Sequence, residues 1–369
     1  MFQRGNVDVA LTTHANNLGV LRLGLATLVL FSHSFPLVGR ADEFFALLTG
    51  HDSGGGIAVS GFFIVSGFLV TRSLQVRGWR DYAIARFLRL SPGLAAMSVI
   101  CAFVMGPVVT QLSLGDYFSR GGTYKFMENA LLFPIHMTLP GDFLGHPVTA
   151  MNGSVWTIPI EAAMYCLLVA LAAAGLATRR LGWTLPLLAV AALLAGDRFW
   201  DPDRQFLWSL NGRWLAHYGF YFAAGVCLYL YRAVVPRSVP LALLALALAM
   251  AFPDFLLSEV LWRVGLVYAI YSIAFGGSLF GRWTARNDLS YGVYLYSMPV
   301  QQCMIEWVGL EEITVASLFW LSLPVTLLLA YGSWHAIERR ALHFKRRGSA
   351  SAPPLPRPAQ SQNPATQAL

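Results

Sequence analysis

Several residues in this chain have types and spacings that support chemistry. Arg22 and His33 stand eleven residues apart in an otherwise apolar run. At about 100° per residue they share one helical face within about 20°, separated by roughly 16 Å along the axis. A deep histidine is by default a functional group, whereas an arginine near a span end also serves as a snorkelling anchor. Glu161 sits near the start of a later apolar run. Counted from the nearer end of its own span, it reaches the depth of His33, roughly 8 to 9 Å in. A carboxylate there would orient the imidazole and stabilise its protonated form, as general-base catalysis requires; the alternative is a structural polar pair between helices. Arg86 and Arg89 lie three apart, just before Ser91 and Pro92. Two guanidinium groups on one face suit a polyphosphate, although plain membrane topology also explains basic residues there.

The elements that position these residues follow from composition. Of 369 residues 56% are hydrophobic and only 12% charged, and the mean hydropathy is +0.55. Lipid is therefore the solvent, and the fold class is all-α, a polytopic bundle of about ten transmembrane helices. Apolar windows predict spans over 18–38, 56–74, 90–109, 155–176, 183–196, 214–232, 239–256, 261–281, 289–308 and 313–335. With an even number of spans, roughly 18 of the 26 Lys and Arg residues fall on one side, which by the positive-inside rule makes both termini cytoplasmic. The net charge of +7 is thus a topology signal and implies no nucleic-acid partner. Arg22 and His33 inside the first apolar stretch argue against a signal peptide.

Residues 1–343 read as one transmembrane domain and 344–369 as a disordered cytoplasmic tail rich in Ser, Ala, Pro and Gln. The segments 110–154 and 197–213 exceed ordinary loop length, and the first, with apolar pieces such as 126–135, is expected to fold over the bundle. Cys101, Cys166, Cys227 and Cys303 lie in apolar segments without paired spacing, so neither a disulfide nor a metal is expected. In the second helix Gly56, Ser60 and Gly67 share a face. Such a face either packs closely on a neighbour or leaves room for a ligand beside the first helix. Tyr124, Trp156, Trp200, Trp208 and Trp214 gather near one interface, as sugar-stacking surfaces or as the usual aromatic belt.

These residues accumulate into a resemblance. The pattern comprises Arg22 with His33, a Phe-Phe-x-x-Ser-Gly-Phe-Leu run through Ser66 and Gly67, and Arg86-x-x-Arg89-Leu-x-Pro. It continues with Asn152 to Glu161, then Ser290-Tyr291-Gly292-Val293-Tyr294-Leu295, and ends on Ile337-Glu338. In this order it resembles the acyltransferase-3 family of integral-membrane O-acyltransferases. Where that family often carries a histidine three residues after the second tyrosine of the late motif, this chain has Ser297.

The resemblance implies a ten-helix enzyme of the inner (cytoplasmic) membrane. It would move an acetyl group from cytoplasmic acetyl-CoA to a sugar hydroxyl of a surface or exported glycan on the outer side, such as an exopolysaccharide or lipopolysaccharide O-antigen. It also implies His33 as the catalytic residue and Glu161 as its support, with Arg22, Arg86, Arg89, Ser66 and Gly67 holding the coenzyme. The competing class is a transporter or lipid-linked glycan exporter using Arg22, His33 and Glu161 as a polar path.

Overall fold

The computed structural model describes residues 7–13, 15–174, 205–206, 210–252 and 256–348. Within them the chain is helical apart from a pair of two-residue antiparallel strands, Gln205–Phe206 and Leu210–Asn211. The longer helices are α1 (Leu18–Leu37), α2 (Gly54–Arg77), α3 (Trp79–Ile100), α4 (Thr157–Ala173), α5 (Gly212–Leu230), α6 (Val239–Ala251), α7 (Leu256–Phe275), α8 (Ser290–Val308), α9 (Val315–Ser333) and α10 (Arg339–Gly348). A π-helical turn, Cys101–Met105, prolongs α3 to Gly106–Val109, and another, Trp334–Glu338, joins α9 to α10. Among the described residues six helices are long and apolar enough to cross a membrane, those built on α1, α2, α3, α4, α7 and α9. The expected span 183–196 and the tail from 349 onward lie outside the described residues.

Local chemistry sets the helix ends. The Ser53 hydroxyl accepts from Gly56 N–H at 3.1 Å to start α2, satisfying one of the amides that a first turn leaves open. Gly78 ends it at φ +77°, a conformation that only glycine takes cheaply. The third helix begins at Trp79 rather than at 90, because its polar first half, with Arg80, Arg86 and Arg89, is held by tertiary contacts instead of by apolar windows.

Burial separates the lipid-facing helices from the central ones. In α2 67% of the apolar window is buried, in the α9 segment 22%. Trp320, Leu321 and Leu328 of α9 are exposed, the pattern expected where lipid covers the surface. From Ser290 to Cys303 every residue of α8 is buried, although it carries Gln301, Gln302 and Ser297. These polar groups find partners: Gln301 Nε2 donates to Leu30 O (2.9 Å) and Ser34 Oγ (2.8 Å) of α1, and Gln302 Nε2 donates to Val148 O and Ala150 O at 2.6 and 2.8 Å. In a dry interior such bonds fix register between neighbouring helices.

The segment 110–152 differs from expectation. Instead of covering the bundle it runs back along α3. The Tyr117 hydroxyl donates to Ala102 O at 2.8 Å, and Ser91 Oγ donates to Ala130 O at 2.7 Å. Residues 126–131 therefore lie beside Ser91, roughly 27 Å of helix from Val109 at 1.5 Å per residue. The chain then returns, and Asp142 bridges Thr110. The segment is anchored by a few side chains rather than enclosed: Tyr117, Phe126 and Phe143 are fully buried, whereas Leu114, Tyr124, Leu131 and Leu144 are exposed.

One buried acid in this segment has a visible cost. Asp142 is 1% exposed, and neither carboxylate oxygen has a hydrogen-bond partner among the described residues. Burial pushes its pKa up to about 7, the neighbouring Thr110 opposing the rise and the Glu306 charge adding to it. A raised folded pKa favours the fold fully below the ordinary value of 3.8 and loses that advantage as pH rises through about 7. Asp142→Asn should therefore raise the melting temperature above pH 7 and leave it unchanged at acid pH. Thermal unfolding across pH measures this, and an unchanged melting temperature above pH 7 would refute it.

Candidate functional site

At the end of the bundle that carries Arg22, five elements leave a cleft of about 100 Å³ that opens to solvent. Its lining includes Arg22 of α1, Phe62 and Ser66 of α2, Arg86 and Arg89 of α3, Glu161 and Tyr165 of α4, and Tyr291 and Tyr294 of α8. Five sequence-predicted residues meet here: Arg22, Ser66, Arg86, Arg89 and Glu161. His33 and Gly67 are not among those lining it.

The arginines divide into two kinds. Arg22 Nη1 donates to Asp288 Oδ2 at 2.6 Å, and Arg89 Nη2 lies 2.9 Å from the same oxygen, an ion pair rather than an aligned hydrogen bond. Ser290 Oγ donates to the other oxygen, Asp288 Oδ1, at 2.7 Å. A second acid, Glu338, approaches Arg89 Nη1 at 3.9 Å and accepts from Ser333 Oγ at 2.9 Å. Burial alone would raise the pKa of Asp288, but the Arg22 and Arg89 charges more than reverse it and hold the carboxyl well below its ordinary value. Arg86 differs. It forms no ion pair among the described residues; its Nε is buried without a hydrogen-bond partner, and its guanidinium lies 5.8 Å from the Tyr165 ring centre.

Glu161 does not reach His33. Its Oε1 accepts from Ser66 Oγ at 2.9 Å and from the Tyr165 hydroxyl, and the two hydroxyls lie 2.8 Å apart. Matching depths from the membrane surface fails because the chain enters α4 already sunk. Asn152 Nδ2 lies 3.5 Å from Met97 Sδ and donates to Leu295 O of α8 at 2.8 Å, while the Tyr294 hydroxyl donates to Ser154 O at 2.6 Å. From that starting level Glu161 descends to Arg86 and Arg22, whereas His33 lies roughly 16 Å further along α1. His33 Nδ1 is buried and accepts or donates no hydrogen bond among the described residues. Such a nitrogen is free to take a proton or a bond from something outside the protein.

Gly67, expected to hold the coenzyme, is a packing residue. A Cβ there would lie 2.1 Å from the Phe222 carbonyl oxygen of α5, and one on Gly225 would lie 2.1 Å from the Ile64 carbonyl oxygen of α2. Two glycines thus let α2 and α5 touch backbone to backbone. Ser297, at the position where a histidine was noted as common, is fully buried and donates to Tyr294 O at 3.2 Å. Missed altogether were Tyr165 and Asp288. Tyr165 carries a signal, because it stands four residues after Glu161 on one helical face. Asp288 carries a weaker one, an acid two residues before an apolar helix on the side of the bundle where arginines collect.

A family model described as an acyltransferase domain, acyltransferase-3, matches residues 16–335. The chain is 28% identical to an "O-acetyl transferase" of Shigella phage Sf6 over 335 residues, covering 89% of this chain and 96% of the relative. It is 29% identical to "Nodulation protein 10" of Rhizobium leguminosarum bv. viciae over 378 aligned positions, 90% of this chain and 94% of the relative. No solved structure matches.

The α2 and α5 contact yields a test that is independent of chemistry. Gly67→Ala places a methyl group on a backbone carbonyl that cannot swing away, so the helices must separate. Overpacking of this kind costs about 1 to 3 kcal/mol. The variant should melt several degrees lower in detergent, as should Gly225→Ala; wild-type stability in both would contradict the contact.

Proposed function

Because the chain belongs to the acyltransferase-3 family of membrane proteins and is an O-acyltransferase, we propose that it moves an acetyl group from cytoplasmic acetyl-CoA to a sugar hydroxyl of a surface or exported glycan. The observation that carries this is the cleft itself. Residues from α1, α2, α3, α4 and α8 converge on it, three arginines among them, together with the Ser66, Glu161 and Tyr165 hydrogen-bonded group. That lining suits a long donor with an anionic head and an amide-bearing arm. The name of the phage relative supports acetyl as the group transferred. A transporter is not favoured, since the acyltransferase model spans residues 16–335.

In this proposal the protein spans an inner membrane about ten times with both termini cytoplasmic, and the cleft faces the cytoplasm. The orientation is supported by the basic residues at that end, among them Arg72, Arg77, Arg80, Arg339 and Arg340. Arg86, without an ion pair among the described residues, meets the donor's anionic part, while Glu161, Ser66 and Tyr165 line the route of its arm. His33 stands further along α1 with a ring nitrogen unengaged.

Two routes use that nitrogen. As general base, His33 takes the proton of the acceptor hydroxyl while its oxygen attacks the thioester carbonyl. The carbon–sulfur bond breaks, and the thiolate leaves to be protonated. As nucleophile, the ring nitrogen first displaces the thiolate, and the acyl-imidazole then gives its acyl group to the hydroxyl. Mass spectrometry of protein quenched during turnover separates them, since only the second leaves acetyl on the peptide containing His33.

His33→Ala should abolish release of free thiol from acetyl-CoA, a loss of at least about 10²-fold, with the protein still present in the membrane. Wild-type thiol release in this variant would sink the assignment. Glu161→Gln keeps the hydrogen bonds but removes the charge, and should raise the KM for acetyl-CoA more than it lowers kcat.

A further inference from the structure

The chemistry of the cleft contains an apparent contradiction. A site for an anionic donor should offer free positive charge, yet two of the three arginines lining it are already engaged by one carboxylate. Asp288 Oδ2 lies 2.6 Å from Arg22 Nη1 and 2.9 Å from Arg89 Nη2. This is the geometry a phosphate oxygen adopts between two guanidinium groups. The acid stands in the short link between the helix Gly281–Arg286 and α8, and its other oxygen is tethered by Ser290 Oγ at 2.7 Å. All three charged side chains keep contact with solvent, at 20% for Arg22, 21% for Asp288 and 12% for Arg89.

We propose that Asp288 is a carboxylate latch: it occupies the anion position between Arg22 and Arg89 in the donor-free protein, and competes there with the anionic part of the donor. This rests on the cleft being the donor site. The latch has two physical consequences. With no donor bound, Asp288 faces both arginines and Glu338 approaches Arg89 Nη1 at 3.9 Å, so neither cation stands unpaired near the membrane. When donor enters, a phosphate replaces the carboxylate, so part of the attraction is spent on displacing Asp288 and affinity is lower than three arginines would otherwise give. The side chain is placed to move, because it lies on a link between helices and not within one. Arg86, which has no such partner among the described residues, is the first contact for an incoming anion. Asp288 is accordingly a positioning residue that sets affinity, while the reacting atoms lie elsewhere.

The prediction is a gain, which structural damage does not produce. Coenzyme A binding is measured by isothermal titration calorimetry on the full chain in lipid nanodiscs, at low and high salt. Asp288→Asn should bind about tenfold tighter than wild type, about 1.4 kcal/mol, with the advantage shrinking at high salt. Asp288→Glu, which keeps the charge, should stay within about threefold of wild type, or about 0.7 kcal/mol. If Asp288→Asn does not fold, Ser290→Ala decides, since losing the tether should tighten binding by about twofold to threefold. Equal or weaker binding in a folded Asp288→Asn, or in Ser290→Ala where that variant decides, overturns the latch and leaves the donor site standing. Absence of coenzyme A binding in wild type and variants alike overturns both.

Discussion

One carboxylate oxygen shared by two guanidinium groups ties together the arginine-bearing end of this bundle. Charged side chains are costly in and near a membrane, and they persist where they are paired or hydrated. Asp288 meets that condition for Arg22 of α1 and Arg89 of α3, from the link that enters α8. Glu338, from the turn after α9, adds a longer contact to the same Arg89. Four parts of the chain that are distant in sequence are thereby drawn to one place. Beside this centre stands Arg86, without an ion pair among the described residues, 5.8 Å from the ring of Tyr165, which belongs to the Glu161 hydrogen-bonded group.

Depth is the second organising constraint, and the segment 110–152 controls it. By running back along α3 to Ser91 and returning, it delivers Asn152 to the level of Met97 and Leu295 instead of to the surface. The helix that follows starts inside the protein. Glu161 consequently lies with the arginines, well away from His33. One level thus holds charge, and another holds an imidazole whose Nδ1 has no partner among the described residues.

The central helices show how a lipid-solvated fold keeps tight packing without a hydrophobic driving force between helices. Gly67 and Gly225 bring α2 and α5 to backbone contact, and buried glutamines on α8 bond to α1 and to the return of the 110–152 segment. Small residues and internal hydrogen bonds do what apolar burial does in water. The side chains that do face outward, such as Leu328 and Trp320, are the large apolar ones.

Composition and patterning by themselves determined the solvent, the helical class, the first, second, fourth, fifth, eighth and ninth long helices to within a few residues, and the residue types that meet in the cleft. These are local properties: apolar run length, helical spacing and charge asymmetry are all readable along one strand of sequence. The tertiary structure alone decided who touches whom. Glu161 looked like a partner for His33 because depth was counted from the membrane surface, and only the re-entrant path of 110–152 shows that α4 starts lower. Gly67 looked like part of a ligand face, and only its approach to Phe222 makes it a packing glycine. The pairing of Arg22 with Arg89 through Asp288 spans 266 positions, a separation over which periodicity carries no information. Which of three arginines is left without an ion pair is a property of that pairing, and so of the fold.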